Sequence, residues 1–353
     1  MTRRKIHVIY EYGTDTRPHP SAYIRLLRPL THPNVSDSLE VTYGPRNTKY
    51  PVEAVIVDRL WRPDITPTLA KQLVDDIRAS GTRIIYALDD NFLDLPLERR
   101  DWPQEHHLIA LQILLEHSDI IWVTTPALKK RLSIYPQPIL VIPNTLDERL
   151  LHPIRNSISD SPFIERRLKI GFMGTTTHDR DLLMIAPALQ KLSQEYPNSF
   201  ELQIVGGVQE ENTFEPFKGI PVRHFVPPLE EQEYPLFMFW FIRQFNWDIA
   251  LAPLADTPFN SCKSDIKFLD YCALGVAGVY SRVATYKTSV KHLYTGWLVE
   301  NQIETWYQAL ESLITDDERR KRIALNAKRY LHAERTLAHC ARFWLEAVNA
   351  SLA

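Results

Sequence analysis

The chain has 353 residues, which is too long for one ordinary hydrophobic core and fits two domains of roughly 150–200 residues each. Its apolar content of 44%, charged content of 24% and formal net charge of −2 are typical of a globular protein that no overall basic field draws to nucleic acid. Its only cysteines, Cys262, Cys272 and Cys340, form no CxxC pair, which argues against a disulfide scaffold and a zinc site and favours a reducing compartment.

The sequence also argues against a secreted or membrane-spanning protein. The N-terminal residues are basic, but the apolar part that follows is too short for a signal peptide and leads into a strand pattern. No apolar run reaches the roughly 18 residues that a membrane span needs. The nearest, 234–242, is interpreted as a buried helix face or as a surface that rests on a membrane. We therefore expect a cytoplasmic protein and leave open peripheral contact with the inner face of the membrane.

Strand and helix patterns alternate along the first half of the chain. The strands are almost continuously apolar, as in a parallel sheet that is covered on both faces. Strands are predicted at 5–10, 54–58, 83–89, 120–125 and 139–143, and helices at 21–30, 68–80, 105–118 and 126–135. This alternation predicts a doubly wound α/β domain over residues 1–150.

The second half repeats this rhythm after a stretch rich in Pro, Ser, Asn and charges, 147–167, which is predicted to be a linker. Strands are predicted at 169–174, 200–207, 221–226, 248–253, 277–281 and 296–300, and helices near 180–195, 230–245, 264–274, 302–315, 317–332 and 335–350. We predict a second Rossmann-like domain over 165–334 and a C-terminal helix, about 335–353, that can pack back on the first domain. Two such domains would face each other across a central cleft at the carboxyl ends of their sheets, where open α/β sheets bind ligands.

The loops after the first strand of each half exclude two nucleotide-binding classes. They read YEYGTDTRPHP and GFMGTTTHDRD, and neither contains the GxGxxG motif of dinucleotide-binding dehydrogenases. A Walker A motif is absent as well. The sequence therefore argues against both a dinucleotide-binding dehydrogenase and a P-loop nucleotide-binding protein.

The most informative stretch is WDIALAPLADTPFNSCKSDIKFLDYCALGV, residues 247–276. It predicts a buried strand, a polar loop and a helix that begins at Ser264, which would be the N-cap. The backbone amides at the start of this helix would then point towards an anion, and they belong to Asp265, Ile266 and Lys267. Lys263 and Lys267 lie at the N-terminal end of this helix, where the partial positive charge of the helix dipole disfavours a cation. Their position therefore indicates an anionic ligand, and the alternative is that both lysines are simply solvated.

Three stretches of the chain resemble glycosyltransferases of the GT-B fold, and are similar to the family 4 (group 1) enzymes of bacterial polysaccharide synthesis. Residues 120–151 resemble the end of that family's first domain, 169–182 its first strand and loop of the second domain, and 248–301 its donor-binding core. The first 120 residues share only the alternation of elements. The resemblance implies transfer of a sugar from a nucleotide-diphosphate sugar to a glycan, a glycolipid or another hydroxyl acceptor, with no cofactor and no metal.

The resemblance also implies roles for residues of the second domain. The family has two acidic residues eight positions apart, and the second, which accepts hydrogen bonds from the ribose hydroxyls, matches Asp270. An exposed helix aspartate is the alternative for Asp270. The first acidic position falls on Cys262, which departs from the family pattern. Gly174 and Thr175 fall where the family approaches the diphosphate, and His178 is a candidate for contact with phosphate or with the transferred sugar.

The first domain contributes the predicted catalytic and acceptor-binding residues. Asp89 and Asp90 end a buried strand, and their adjacency could raise one pKa towards that of the general base that an inverting transferase needs. The alternative for Asp90 is the N-cap of a following turn. For acceptor binding we predict Arg59, Trp61 as a sugar-stacking face, and Gly13 in the loop after the first strand.

Three functions fit these observations, and transfer of a sugar is favoured. Cys262 in place of an acidic residue favours the second, a non-catalytic nucleotide-sugar-binding subunit of a glycan synthase complex. The third is an epimerase that acts on the nucleotide sugar itself. Donor binding without transfer to any acceptor would distinguish the second function, and product formation without an acceptor would distinguish the third.

Overall fold

The structure is a computed structural model that describes residues 3–99, 101–151, 166–206 and 211–353. Most of the predicted linker, 152–165, lies outside the described residues. The chain divides into two compact units. Unit 1 comprises Met1–Asp147, Ser261–Ser264 and Arg335–Ala353, and unit 2 comprises Glu148–Asn260 and Asp265–Glu334.

Unit 1 is built on one six-stranded sheet whose neighbouring strands all pair in parallel. The strands are β1 (Arg4–Ile9), β2 (Leu39–Gly44), β3 (Ala54–Asp58), β4 (Arg83–Leu88), β5 (Ile120–Val123) and β6 (Ile139–Val141). Their order across the sheet is β2-β1-β3-β4-β5-β6. The direction of the winding reverses between β1 and β3, and doubly wound sheets bind ligands at the carboxyl ends of the strands beside such a switch point.

The strand β2 is missing from the prediction. It pairs with β1 over six residues and forms an edge of the sheet. Its sequence LEVTYG buries Leu39 but leaves Glu40 and Tyr43 exposed. An edge strand with this mixed burial lacks the continuous apolar run by which the central strands are found.

The helices of unit 1 cover this sheet. A helical stretch at 20–30 consists of α1 (Pro20–Ala22), a π-helical turn (Tyr23–Leu27) and α2 (Arg28–Leu30); the others are α3 (Pro67–Ala79), α4 (Glu105–His117), α5 (Pro126–Arg131) and the C-terminal α13 (Leu337–Leu352). The side chains of Leu337 and Trp344 in α13 lie in the same core as the central strands. The Trp344 indole donates a hydrogen bond of 2.5 Å to the carbonyl oxygen of Arg25, so α13 helps to fix the π-helical turn.

Unit 2 contains a second six-stranded parallel sheet. Its strands are β7 (Leu168–Gly174), β8 (Phe200–Gly206), β9 (Val222–Phe225), β10 (Ile249–Ala252), β11 (Ala277–Ser281) and β12 (Trp297–Val299). The order β12-β11-β10-β7-β8-β9 is that of a Rossmann domain, with the switch point between β7 and β10.

Seven helices are described in unit 2: α6 (Asp179–Met184), α7 (Ala186–Glu195), α8 (Tyr234–Gln244), α9 (Ile266–Leu274), α10 (Ala284–Lys287), α11 (Ile303–Thr315) and α12 (Asp317–Glu334). The single helix predicted near 180–195 is two helices, because Pro187 at the start of α7 has no amide hydrogen to continue α6. The apolar segment 234–242 lies in α8, which buries Tyr234, Met238 and Phe241. Among the described residues, no helix combines the length and the apolar character needed to cross a bilayer.

Candidate functional site

A cluster of charged side chains lies at the carboxyl ends of β1, β3 and β4, beside the switch point of unit 1. We call it the unit 1 charge cluster, and it consists of Glu11, Arg25, Asp58, Arg59, Asp89 and Asp90. Asp58 is the last residue of β3, and Asp89 and Asp90 follow β4 directly. Glu11 comes two residues after β1, and Arg25 lies in the π-helical turn. The predicted residues Arg59, Asp89 and Asp90 are therefore brought together.

The ion pairs of the cluster are mostly wider than hydrogen bonds. Arg59 Nε lies 2.9 Å from Glu11 Oε2, and Arg59 Nη1 lies 3.4 Å from Asp89 Oδ1 and 3.9 Å from Asp90 Oδ2. Arg25 Nη1 lies 3.7 Å from Asp58 Oδ1 and 3.9 Å from Asp89 Oδ1. Within the part of the chain that the structure describes, these buried atoms of Arg25, Asp58 and Asp89 make no hydrogen bond. The cluster therefore retains buried hydrogen-bonding capacity.

Burial separates the proton affinities of these carboxyl groups. It raises the pKa of Glu11 to about 7, although Arg59 opposes the shift, and it raises the pKa of Asp58 to about 6 against the opposing effect of Arg25. Burial also acts to raise the pKa of Asp89, but the guanidinium groups of Arg59 and Arg25 outweigh it, so that this pKa is lowered. The Asp89 carboxylate is therefore a weaker base than an ordinary aspartate.

The turn after β3 holds two residues in the left-handed backbone region. Arg59 has φ 48° and Trp61 has φ 53°, which is costly for residues with a side chain. Hydrogen bonds fix this turn: the Tyr86 hydroxyl donates to the carbonyl oxygen of Arg59 at 2.9 Å, and the Trp61 amide donates to that of Asp58 at 2.9 Å. Strain that the surroundings maintain in this way is frequent at functional sites.

The two other predicted acceptor residues are placed less favourably. Trp61 is only 6% exposed, and its indole donates to the carbonyl oxygen of Pro45 at 3.2 Å. A stacking role would therefore require Trp61 to leave this position. Gly13 is exposed, and a Cβ atom built on it would meet no atom within 4 Å, so nothing in its surroundings requires a glycine.

The loop 261–264 belongs to unit 1. The Thr125 hydroxyl donates to the carbonyl oxygen of Cys262 at 2.9 Å, and the side-chain amide of Asn144 donates to Ser264 Oγ at 2.9 Å. Lys263 Nζ lies 3.8 Å from Asp90 Oδ1, so its neighbour here is a carboxylate. The predicted N-cap was wrong: α9 begins at Ile266 with Asp265 as its N-cap, because Ser264 is held by Asn144 outside the helix.

In unit 2, two glycines bring the carboxyl ends of β7 and β8 close together. Gly206 has φ +104°, and a Cβ atom on it would lie 1.9 Å from the carbonyl oxygen of its partner Gly174. A Cβ atom on Gly174 would lie 3.2 Å from the Cβ atom of His178 and 3.1 Å from the Phe172 ring. Backbone rather than side chains therefore forms the end of β7, with His178 beside it.

The loop after β7 is ordered by its own polar contacts. His178 Nδ1 lies 2.9 Å from Asp181 Oδ2, and Asp181 Oδ1 accepts a hydrogen bond of 2.9 Å from the Ala255 amide. Asp181, which the sequence did not single out, thus ties the loop after β7 to the loop after β10 at the switch point. The hydroxyls of Thr175 and Thr177 lie 2.8 Å apart at the surface.

The first turn of α9 lies beside the end of β7. Lys267 Nζ lies 4.9 Å from the centre of the Phe172 ring, and the hydroxyl of Tyr271 accepts a hydrogen bond of 3.2 Å from the Met173 amide. The helical hydrogen bonds begin at the amide of Phe268, which donates to the carbonyl oxygen of Asp265. The amides of Ile266 and Lys267 precede this ladder, as at any helix start.

Asp270 is buried in the second turn of α9. It is 3% exposed, so the alternative of an exposed helix aspartate was wrong. The Tyr234 hydroxyl donates to Asp270 Oδ1 at 2.8 Å. Burial raises the pKa of Asp270 to about 7, and the hydrogen bond from Tyr234 and the charge of Lys267 act against that rise. A carboxyl group that is buried yet poised between its two protonation states is well suited to bind hydroxyl groups.

No protein-family model and no curated protein sequence matches the chain. Solved structures do: sucrose-phosphate synthase from Thermosynechococcus elongatus is 14% identical with a TM-score of 0.70, over 99% of both chains. Anabaena Alr3699/HepE in complex with UDP and glucose is 11% identical with a TM-score of 0.66, over 99% of this chain and 100% of that one. A glycosyltransferase from Rickettsia africae ESF-5 is 13% identical with a TM-score of 0.61, over 100% and 99%. These matches confirm the predicted GT-B fold of two Rossmann-like α/β domains.

Proposed function

We propose that the protein is a glycosyltransferase that transfers a sugar from a nucleotide-diphosphate sugar to a hydroxyl acceptor. The observation that carries the proposal is the burial of Asp270 in α9, one turn beyond the helix start and beside Lys267. A buried carboxyl group next to an anion-binding helix start suits a ligand with both hydroxyl and phosphate groups. The shared fold supports this proposal, because Anabaena Alr3699/HepE has been solved with UDP and with UDP-glucose.

The proposed donor site lies in unit 2 at the switch point between β7 and β10. The diphosphate would bind at the amides of Ile266 and Lys267, where the helix dipole and the Lys267 ammonium group favour negative charge. The glycine backbone at Gly174 would let the ligand approach closely. Asp270 would accept hydrogen bonds from the ribose hydroxyls. The leaving diphosphate gains charge during transfer, so the same groups would stabilise the transition state.

Two further predicted donor residues lie in the loop after β7. Thr175 offers a hydroxyl at the surface of the loop after β7, and His178 is oriented by Asp181. Lys263 belongs to unit 1, where its neighbour is Asp90, and it is not included in the proposed donor site of unit 2. Neither a cofactor nor a metal is required by this chemistry, and we expect transfer to continue in the presence of EDTA.

The proposed acceptor site is the unit 1 charge cluster. Its carboxylates and guanidinium groups accept and donate hydrogen bonds, as the recognition of hydroxyl groups requires. Asp90 is its most exposed carboxylate, with 23% of its side chain accessible. The lowered pKa of Asp89 favours a role in holding the acceptor over a role as general base.

A thermal-shift panel tests the donor site. UDP, GDP, dTDP, CDP and ADP are added in equal excess to the wild type, Asp270→Ala and the control Asp256→Ala, which changes an exposed aspartate of the loop after β10. A nucleotide at about 100 times its Kd stabilises the folded state by roughly 2.7 kcal/mol. We expect one nucleotide to shift the wild type and the control but not Asp270→Ala. No shift with any nucleotide would contradict the proposal.

A turnover assay distinguishes a glycosyltransferase from the alternative, a non-catalytic nucleotide-sugar-binding subunit. The matching nucleotide sugar is incubated with the protein and a panel of saccharides, and release of the nucleoside diphosphate is measured. Transfer, or slow hydrolysis of the donor, supports an enzyme. Tight binding without any release would favour the subunit, for which the replacement of the expected acidic residue by Cys262 is the specific observation.

A further inference from the structure

The accessible members of the unit 1 charge cluster are acidic, whereas its cations lie deeper. The exposed fractions of the side chains are 13% for Glu11, 15% for Asp89 and 23% for Asp90. They are 5% for Arg25 and 10% for Arg59. A ligand that reaches the cluster from solvent therefore meets these three carboxyl groups, with Lys263 beside Asp90, before it meets the two guanidinium groups.

Cations on the surrounding loops are also committed to carboxylates. Arg62 Nε lies 2.7 Å from Asp64 Oδ1, and Arg17 Nε lies 3.6 Å from Asp15 Oδ2. Lys263 faces Asp90 from the loop 261–264. Because each of these positive charges already has a negative neighbour, an arriving phosphate or carboxylate would gain little attraction and would be repelled by the acidic members of the cluster.

The deeper atoms of the cluster lack hydrogen bonds although they are buried. Asp58 is fully buried and Arg25 is 5% exposed, yet Asp58 Oδ1 and Arg25 Nη1 make no hydrogen bond within the described ranges. Glu11 Oε2 and Asp89 Oδ1 share this property. Groups of this kind are costly to bury unless a ligand or water satisfies them. A hydroxyl group is suitable because it donates to a carboxylate and accepts from a guanidinium group at the same time.

We propose that the unit 1 charge cluster binds the hydroxyl groups of an uncharged sugar and selects against sugars that carry phosphate or carboxylate. This inference rests on the proposed function for the assignment of the cluster to the acceptor, and it narrows the acceptor to neutral saccharides. The strained turn at Arg59 and Trp61 would hold the guanidinium group of Arg59 between Glu11 and Asp89, so that these acidic groups keep fixed positions.

Ligand-observed saturation-transfer NMR on the full chain tests the inference. The probes are glucose, galactose, mannose and N-acetylglucosamine, each compared with its own 6-phosphate, and no nucleotide is added. We expect at least one neutral sugar to bind and its 6-phosphate to bind at least about tenfold more weakly at low salt, because like charges a few ångströms apart repel by a kcal/mol or more. Added salt should reduce that ratio.

At pH 8, above the pKa of about 7 of Glu11, the variants Glu11→Gln and Asp90→Asn each remove a negative charge while preserving the size of the side chain. We expect each to improve binding of the 6-phosphate relative to the neutral sugar by roughly fivefold to tenfold. Glu40→Gln, on the exposed edge strand β2 of the same unit, is the matched control and should leave the ratio unchanged. Melting curves identify a variant that fails to fold, and Asp90→Asn, at the most exposed position, then carries the test.

Three results would overturn the inference: tighter binding of a 6-phosphate than of its neutral sugar, no binding of any neutral sugar, or an unchanged ratio in a folded Asp90→Asn variant. Failure of the proposed function is a different result. It would leave the thermal-shift panel without a response, whereas the sugar comparison is read from the saccharide signals alone.

Discussion

The hydroxyl of Tyr234, at the start of α8, donates a hydrogen bond of 2.8 Å to the buried carboxyl group of Asp270 in α9. This bond stabilises the ionised form of Asp270, whereas burial favours the protonated form. The residues that act on the charge of Asp270 are thus Tyr234, Lys267 and Asp265, of which only Asp265 disfavours ionisation. Tyr234 is therefore expected to keep part of the Asp270 population ionised near neutral pH.

The first prediction concerns Tyr234→Phe. In the proposed donor site the ionised carboxylate would accept hydrogen bonds from both ribose hydroxyls, so nucleotide affinity should rise as pH increases through about 7, the pKa of Asp270. Loss of the Tyr234 hydroxyl should move this rise to higher pH and weaken binding at pH 7 roughly fivefold. Nucleotide titrations from pH 6 to pH 9 measure the effect. Asp270→Asn, which does not titrate, should show no such rise, and identical pH profiles for wild type and Tyr234→Phe would contradict the prediction.

The second prediction concerns the stability contributed by Glu11. Its pKa is raised from 4.5 to about 7 in the folded chain, so the folded state binds a proton that the unfolded state has lost between these values. The stability associated with this proton is fully present below pH 4.5 and is lost as pH rises through about 7. Glu11→Gln cannot lose it, so its free energy of unfolding relative to wild type should increase by on the order of 3 kcal/mol between pH 4.5 and pH 8.

Denaturant unfolding at both pH values measures this difference. The free energies of Glu11→Gln and wild type are compared at pH 4.5 and again at pH 8, and only the change between the two comparisons is used. The loss of the contact with Arg59 lowers the free energy of unfolding of Glu11→Gln. Any part of this loss that is the same at both pH values cancels when the two comparisons are subtracted. Glu40→Gln serves as the exposed control and should show no change. An equal difference at both pH values would show that burial does not shift the titration of Glu11.

Most strands of the two sheets could be predicted from the sequence, but only some residues of the candidate functional site could. The central strands were found because both faces are covered and their side chains are apolar almost without interruption. In the site, the adjacent pair Asp89 and Asp90 was visible as two charges at the end of one strand. Asp270 was found because it matches the second acidic position of a family pattern. That match can be made without knowing that α8 packs beside Asp270.

The residues that the sequence did not reveal are those that tertiary structure brings to the site. Glu11, Arg25 and Asp58 come from three separate segments, and each resembles an ordinary polar residue in its own sequence context. Glu11 and Asp58 did carry a signal, because each lies within two residues of the end of an apolar strand. Tyr234 carried none, since its role depends on the packing of α8 against α9.

The third prediction concerns the thiols. Cys262, Cys272 and Cys340 are all buried and take part in no disulfide of the described residues, and burial raises the pKa of Cys262 and of Cys340. Both effects reduce the accessible thiolate that reacts with disulfide reagents. We expect 5,5′-dithiobis(2-nitrobenzoic acid) to modify the native protein slowly and all three thiols rapidly in denaturant. Rapid modification of one thiol in the native protein that disappears in Cys262→Ser would contradict the burial of Cys262.

The fourth prediction compares two glycines with similar backbone conformations. Gly206 and Gly219 have φ values of +104° and +90°, so alanine is strained at both, by roughly 1–2 kcal/mol. At Gly219 a Cβ atom would meet nothing within 4 Å, whereas at Gly206 it would lie 1.9 Å from the carbonyl oxygen of Gly174. Since that oxygen belongs to the paired strand β7, the clash requires the ends of two strands to separate. Gly206→Ala should therefore lower the free energy of unfolding by at least about 2 kcal/mol more than Gly219→Ala. Denaturant midpoints measure both variants, and equal losses would mean that β7 and β8 do not approach each other as closely as described.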